Sequence, residues 1–215
     1  MKKNLVIAIE RQYGSGGRSI GILLSKQLGI PWYDKELSGM AAEKSGINEG
    51  LFIDADETLE GAVLRLGKGG AYKGETVGPE SPHYASRDNL FSIQADMLKD
   101  LAKTQSCIII GRCANFVLRD YENVVSVFVH APMDFLMEQA ARKQYRRGKE
   151  LEKYILKTNK NRAVYYKYYS GEEWSNALYY DLCLDSKRLG FEKCAEEIKS
   201  YIRVRYGEDA LEGTE

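Results

Sequence analysis

The run Leu5-Val6-Ile7-Ala8-Ile9 is apolar without alternation, and it leads straight into Glu10-Arg11-Gln12-Tyr13-Gly14-Ser15-Gly16-Gly17-Arg18-Ser19. An unbroken apolar run reads as a strand buried on both faces, the condition of a parallel sheet; a strand with one wet face would alternate. After the glycines, Ile20, Leu23, Leu24 and Leu28 recur at helical spacing, and Gly29 supplies a stop. Strand, glycine-rich turn and amphipathic helix in that order leave few folds open. The small residues let backbone N–H groups converge, and the helix adds its positive end, so the turn is a candidate phosphate cradle. Set against the motif G-x-x-x-x-G-K-[ST], Gly17-Arg18-Ser19 takes the last three places, Gln12 stands at the first glycine and Arg18 at the lysine. Arg18 would then reach the phosphates of a bound ligand, and Ser19 stands where a Mg²⁺-binding hydroxyl belongs. A turn that only allows tight strand–helix packing is the plainer alternative.

The same unit recurs along the chain. Ile30 to Asp34 reads as a short second strand ending in an acid, Cys107 to Gly111 as a buried third, Val124 to Ala131 as a fourth and Tyr179 to Ser186 as the last. Helical patterns lie between them. The stretch from Lys35 to Leu66 is weakly helical with breaks at Gly46 and Gly50, and Leu90, Met97, Leu98 and Leu101 make a clear apolar face. A further helix opens after Pro132 and continues towards Tyr145, a basic one runs from about Lys149 to Tyr169, and Phe191 to Ile202 close the pattern. Alternating strands and helices predict a three-layer α/β/α domain with a parallel central sheet, whose ligands bind at the carboxyl ends of the strands. The predicted domain spans 1–206. Residues 67–88, rich in Gly and Pro, read as a long flexible loop, and 207–215 as an acidic, disordered tail.

Charge narrows the functions open to such a domain. The net charge is zero, yet Arg142 to Lys167 holds ten Lys or Arg against two acids, so that segment carries +8 and the rest −8. Bulk nucleic-acid binding is disfavoured by the total, while the local excess calls for an anionic ligand or a lid over one. No apolar run approaches the ~20 residues of a membrane helix, and the N-terminal run is too short for a signal peptide. The cysteines Cys107, Cys113, Cys183 and Cys194 form no C-x-x-C pair, and neither His83 nor His130 has ligand spacing. Reduced, mostly buried thiols in a cytoplasmic protein are expected, with no intrinsic metal cluster.

Other strand ends carry polar residues as well. Arg112 follows the third strand directly and can hold a phosphate with two parallel hydrogen bonds. Asp34 ends the second strand and could contact a sugar, a base or a metal, or simply cap the helix that follows.

In this setting the segments "IERQYGSGGRSIG", "LGIPWYDKEL", "IIIGRCANFVL", "VFVHAPMDFLMEQ", "NRAVYYKYYSGEEW" and "YYDLCLDSKRLGFEKCAEEI" together resemble the cytidylate kinase-like branch of the P-loop nucleoside monophosphate kinases. The resemblance implies phosphoryl transfer from ATP, with Mg²⁺, to a nucleoside monophosphate, most simply CMP or dCMP. It implies an acceptor-binding helical region over about 35–103 and a helical lid over about 142–175. Carried over by residue, Gly14, Ser15, Gly16, Gly17, Arg18 and Ser19 form the ATP phosphate loop, with Mg²⁺ reaching Ser19 through ATP. Asp34 and Arg112 belong to the acceptor site, Asp185 and Ser186 lie near the adenine end, and Arg162 is the lid arginine. Arg18, Arg112 and Arg162 are the expected catalytic cations. The chain departs from the family's usual pattern at Gln12 and Arg18, at Cys113 where an acid usually follows Gly-Arg, at Asn159 in the lid, and at the apolar Phe135-Leu136-Met137.

Two other functions stay open at this level. One is a nucleotide- or phosphate-binding protein of the same fold without efficient catalysis. The other is single-stranded RNA binding through the basic, tyrosine-rich segment Tyr154 to Tyr169, although nucleic acid is the less expected partner. Monomer and homodimer are both compatible with the sequence.

Overall fold

The structure is a computed structural model that describes residues 4–55 and 71–211. Five parallel strands form one sheet in the order β2-β3-β1-β4-β5, made of β1 (Val6–Arg11), β2 (Trp32–Tyr33), β3 (Cys107–Ile110), β4 (Val124–His130) and β5 (Leu182–Asp185). The chain lays β2 and β3 on one side of β1 and then crosses to place β4 and β5 on the other. Carboxyl ends of β1, β3 and β4 therefore meet at a topological switch point, where a crevice opens.

Every residue of β1 is buried, as its unbroken apolar run predicts. Period-two alternation divides it between two cores. Val6 and Ala8 face a layer built from α2 (Glu36–Ser45), α3 (Glu49–Ala55), α4 (Arg87–Thr104) and α5 (Ala114–Val117). Ile7 and Ile9 face α1 (Gly17–Leu28) and α8 (Ser186–Tyr206). A third, smaller cluster joins α6 (Met133–Ala141) to the start of α7 (Gly148–Ser170) through Leu136, Ala140, Leu151 and Ile155.

Several element bounds differ from the sequence reading, each for a local reason. Gly50 lies inside α3, because the Asn48 side chain accepts its N–H at 2.8 Å and caps that helix. The helix after Pro132 stops at Ala141, short of Tyr145, and the Gln144 side chain beyond it is drawn to the Tyr13 hydroxyl. The last strand is shorter than Tyr179 to Ser186. Asn176 accepts the Leu178 N–H to start a 3₁₀ turn over Ala177–Tyr179, and Asp185 caps α8, so only Leu182–Asp185 pairs with β4. Cys183 is exposed, whereas Cys107, Cys113 and Cys194 are buried, and all four are free thiols.

Of the long loop, 67–70 lie outside the described residues, as does the weakly helical stretch from 56 to 66. The rest is irregular but fastened. Buried Asn89 accepts the Val77 N–H at 2.8 Å and donates to the Val77 and Tyr84 carbonyls, while the Ala71 and Tyr72 N–H groups donate to the end of α7. Of the acidic tail, Glu208–Leu211 form a 3₁₀ turn whose Ala210 and Leu211 pack on the α1–α8 core, and 212–215 lie outside the described residues. No described helix is long and apolar enough to cross a membrane.

Candidate active site

The glycine-rich turn is held from three sides. Gly16 is the left-handed N-cap of α1, at φ 81°. A side chain there would be strained and would also collide with the Phe191 ring. Gln12 donates its N–H to the Val129 carbonyl at 3.0 Å, and its side-chain oxygen accepts the Ala131 N–H at 3.1 Å. The residue that breaks the glycine motif thus ties the turn to the end of β4. Buried Ser15 gives both its hydroxyl, at 2.9 Å, and its backbone N–H, at 3.2 Å, to the Gln12 carbonyl, so this residue braces the loop. The apolar Phe135-Leu136-Met137 segment also finds its purpose here: Leu136 is buried, and its carbonyl packs where a side chain on Gly14 would lie.

At the end of β3 the backbone takes an uncommon path. Gly111, Arg112 and Cys113 have φ of 76°, 63° and 54°, three left-handed residues in a row, two of them with side chains. Such residues cost on the order of 1–3 kcal/mol each and persist only where the surroundings hold them. The path turns Cys113 N–H onto the buried Glu10 carboxylate at 3.2 Å, whose other oxygen accepts Trp174 Nε1–H at 3.0 Å. It also buries the Arg112 guanidinium, which donates to the Asp34 carbonyl at 3.2 Å and Ser38 Oγ at 3.4 Å. Cys113, where the family usually has an acid, lines one small cleft together with Glu10. Glu10, the other acid near the phosphate loop, does not line the cavity described below.

Asp34 does not cap α2. Its carboxylate instead lies between two arginines, 2.8 Å from Arg18 Nε and 3.7 Å from Arg11 Nη2. Arg18 leans over the Trp32 ring at 5.0 Å, so its guanidinium stands on the β2 side of the crevice.

The middle of α7 closes over this group. Arg162 Nη1 donates to the Arg11 carbonyl at 2.9 Å, and Asn159 accepts the Tyr13 N–H at 2.7 Å. The Tyr13 ring meets Tyr154 edge-on, and burial raises the Tyr13 phenol above its ordinary range. Asn159, where the family usually has an acid, can therefore hold the loop without adding negative charge beside it. Between α7, α6 and the phosphate loop lies a cavity of about 590 Å³. Its walls carry Arg11, Arg18, Lys35, Arg142, Lys143 and Arg162 against a single carboxylate, Asp34. Such an excess in one cavity is a field for a polyanion. A separate cleft of about 10 Å³, the size of about one water, lies between Glu10, Arg112 and Arg162.

Comparison with known proteins places this geometry. A family model described as the cytidylate kinase-like family matches residues 6–188. The chain belongs to the cytidylate kinase-like family. Among solved structures, an uncharacterized protein from Eubacterium ventriosum is similar at 22% identity and a TM-score of 0.68, covering 93% of this chain and 98% of that one. Shikimate kinase from Bacteroides thetaiotaomicron is similar at 14% identity and 0.52, covering 91% and 96%. A sugar kinase from Janibacter sp. is similar at 13% and 0.51, covering 97% and 98%. At such identities these likenesses establish the fold, which is that of the P-loop kinases. No curated protein matches the chain significantly.

In this member of the cytidylate kinase-like family, the expected site residues divide into three groups. Gly14, Gly16, Gly17, Arg18, Ser19, Asp34 and Arg162 all reach the larger cavity. Arg112 sits behind Asp34, in the smaller cleft. Ser15, Asp185 and Ser186 line neither: Ser15 is buried on the Gln12 carbonyl, the Asp185 carboxylate accepts the Lys187 and Arg188 N–H groups as the N-cap of α8, and buried Ser186 donates to the His130 carbonyl. The sequence reading missed Arg11, Lys35, Gln139 and Phe191, which also line the cavity. Arg11 and Lys35 each adjoin a strand-end acid, and that adjacency is a usable signal. Phe191 had been read only as core, and nothing local marks it as facing the phosphate loop.

Proposed function

We propose that this protein is an ATP-dependent kinase that transfers the γ-phosphoryl group to a nucleoside monophosphate, with CMP or dCMP the first candidates, giving the diphosphate and ADP. The observation that carries the reading is the single cavity in which a glycine-rich helix N-terminus, six cationic side chains and Asp34 converge. Phosphoryl transfer asks for little else: two phosphates held in line, and positive charge on the oxygens of the transferring group. In this reading the loop from Gly14 to Ser19 binds the ATP phosphates. Ser19 Oγ, on the cavity wall in the first turn of α1, suits a Mg²⁺ carried by ATP, and that ion supplies neutralising charge when bound. Arg162, Arg142 and Lys143 close over the phosphates from the lid and exclude water. Asp34 faces the acceptor with Arg112 bonded to its carbonyl from behind, and Arg18, already bonded to Asp34, stands between donor and acceptor. Asp185 and Ser186 support the adenine end by fixing the start of α8. Free thiols and the absence of a membrane-length helix among the described residues suit a cytoplasmic enzyme.

The test is ADP release from MgATP, followed by a coupled assay across a panel of nucleoside monophosphates. Shikimate and a hexose belong in the panel because kinases named for shikimate and for sugars share the fold. ADP is expected to appear only with a monophosphate, and Arg18→Ala and Arg112→Ala are each expected to reduce turnover by about a hundredfold or more. ATP binding without turnover on any acceptor would leave a nucleotide-binding protein. Turnover on shikimate or the hexose alone would move the acceptor class.

A further inference from the structure

The phosphate-loop motif carries a lysine that reaches the β- and γ-phosphates, and the sequence alone gives that place to Arg18. The structure argues otherwise. Gly16 is the left-handed residue that starts α1, and α1 begins at Gly17. With Gly16 as the second glycine of the motif, the first falls on Arg11 and the lysine on Gly17. The hydroxyl position falls on Arg18, and Ser19, next along the helix, still lines the cavity.

Positions 11 and 17 share one space. Arg11 lies on the same face of β1 as Ile7 and Ile9, so its stem passes directly beneath the first turn of α1. A Cβ added to Gly17 would lie 2.5 Å from Arg11 Cβ and 3.1 Å from its Cγ. Real Cβ atoms do not approach so closely, and the Arg11 stem is packed rather than free to swing, since the side chain is 8% exposed. A lysine at 17 and a long side chain at 11 therefore exclude each other. Arg11 is among the residues that line the cavity, and its guanidinium lies 3.7 Å from Asp34 Oδ1 and 4.0 Å from Glu10 Oε2, two carboxylates that hold it at the edge of the phosphate loop.

We infer that Arg11 is the phosphate-binding cation of this loop, supplied from the end of β1 in exchange for the lysine that Gly17 has lost. The charge arrives from the strand instead of the helix, and it enters the same cavity. A guanidinium can bind two phosphate oxygens in parallel, which an ammonium cannot do. Arg18 is thereby released to its observed place on Asp34 and Trp32. The inference rests on the phosphate-loop reading of the same cavity.

The experiment is a calorimetric titration of the full chain with MgATP and with inorganic tripolyphosphate. Arg11→Met keeps the stem against Gly17 and removes only the charge. It is expected to weaken both ligands by about tenfold or more; because it also takes a buried cation from beside Asp34 and Glu10, its melting temperature is measured alongside and the titrations are run where the variant is fully folded. Gly17→Lys alone is expected to bind weakly or to fold poorly. Joining it to Arg11→Gly frees the shared space and restores the standard loop, so the double variant should recover to within about threefold of wild-type affinity. If the Arg11→Met protein binds tripolyphosphate within about twofold of wild type, the assignment is overturned while the cavity reading stands. A double variant that folds but binds no better than Arg11→Met also overturns it. Wild-type protein that binds neither ligand removes both the assignment and the cavity reading.

Discussion

Gln12 shows at the scale of one residue why a long side chain inside a glycine-rich turn can be a constraint rather than a loss. A glycine at position 12 would leave the Ala131 N–H without its 3.1 Å acceptor, and the turn would keep only its backbone bond to β4. Gln12→Gly is therefore expected to lower stability by about 1 kcal/mol and to weaken ATP binding through a looser loop. Urea unfolding beside an ATP titration checks both, and an unchanged protein would mean that the clamp is incidental. Cys113 follows the same logic, because its left-handed backbone serves the buried Glu10 carboxylate. These positions were visible in the sequence as departures from a pattern. What they touch was not visible, since Ala131 and Glu10 lie 119 and 103 residues away.

At the scale of elements, α7 combines two roles that the sequence reading had joined in a single lid. Its first half joins the small α6 cluster and meets Tyr13. Its second half is core: Tyr165, Tyr166 and Tyr169 are buried, and Tyr169 stacks on Phe91 with ring centres 3.8 Å apart. Those three rings cannot stack on RNA bases without unfolding the domain, which removes most of the aromatic surface that an RNA-binding reading needs. Local opening follows the density of buried contacts. Hydrogen exchange is thus expected to be fast in 149–158 and slow in 163–170, with MgATP slowing the first half alone. Uniform protection along the helix would rule out a lid hinged inside α7. Tyr169→Ala is expected to destabilise the protein by about 3 kcal/mol, readable in the same exchange experiment as loss of the slow half.

For the whole molecule, the buried tyrosines link stability to pH. Burial raises the phenols of Tyr166, Tyr169 and Tyr180 well above the ordinary tyrosine range. Unfolded, they release protons near pH ~10; folded, they keep them. Above that pH the native state binds more protons than the unfolded state, so their contribution is fully present below pH ~10 and is lost as pH rises beyond it. The urea midpoint should fall steeply above pH ~10, and a midpoint flat through alkaline pH would show that these rings are not held in a closed core. The parallel α/β/α architecture was legible because its signals are local: unbroken apolar runs make doubly buried strands, and 3.6-residue periodicity makes the covering helices. The glycine cradle and the strand-end residues Asp34 and Arg112 were legible for the same reason, since each adjoins a strand that announces itself. The sequence by itself determined which segments are strands and helices and which strand ends are polar. Only the tertiary structure decided how those ends meet: that Arg18 turns to Asp34, that Asp185 caps a helix, that half of the lid is core, and that Arg11 and Gly17 compete for one volume. Local periodicity cannot carry that information, because it depends on which side chains occupy the same space once the sheet has brought distant segments together.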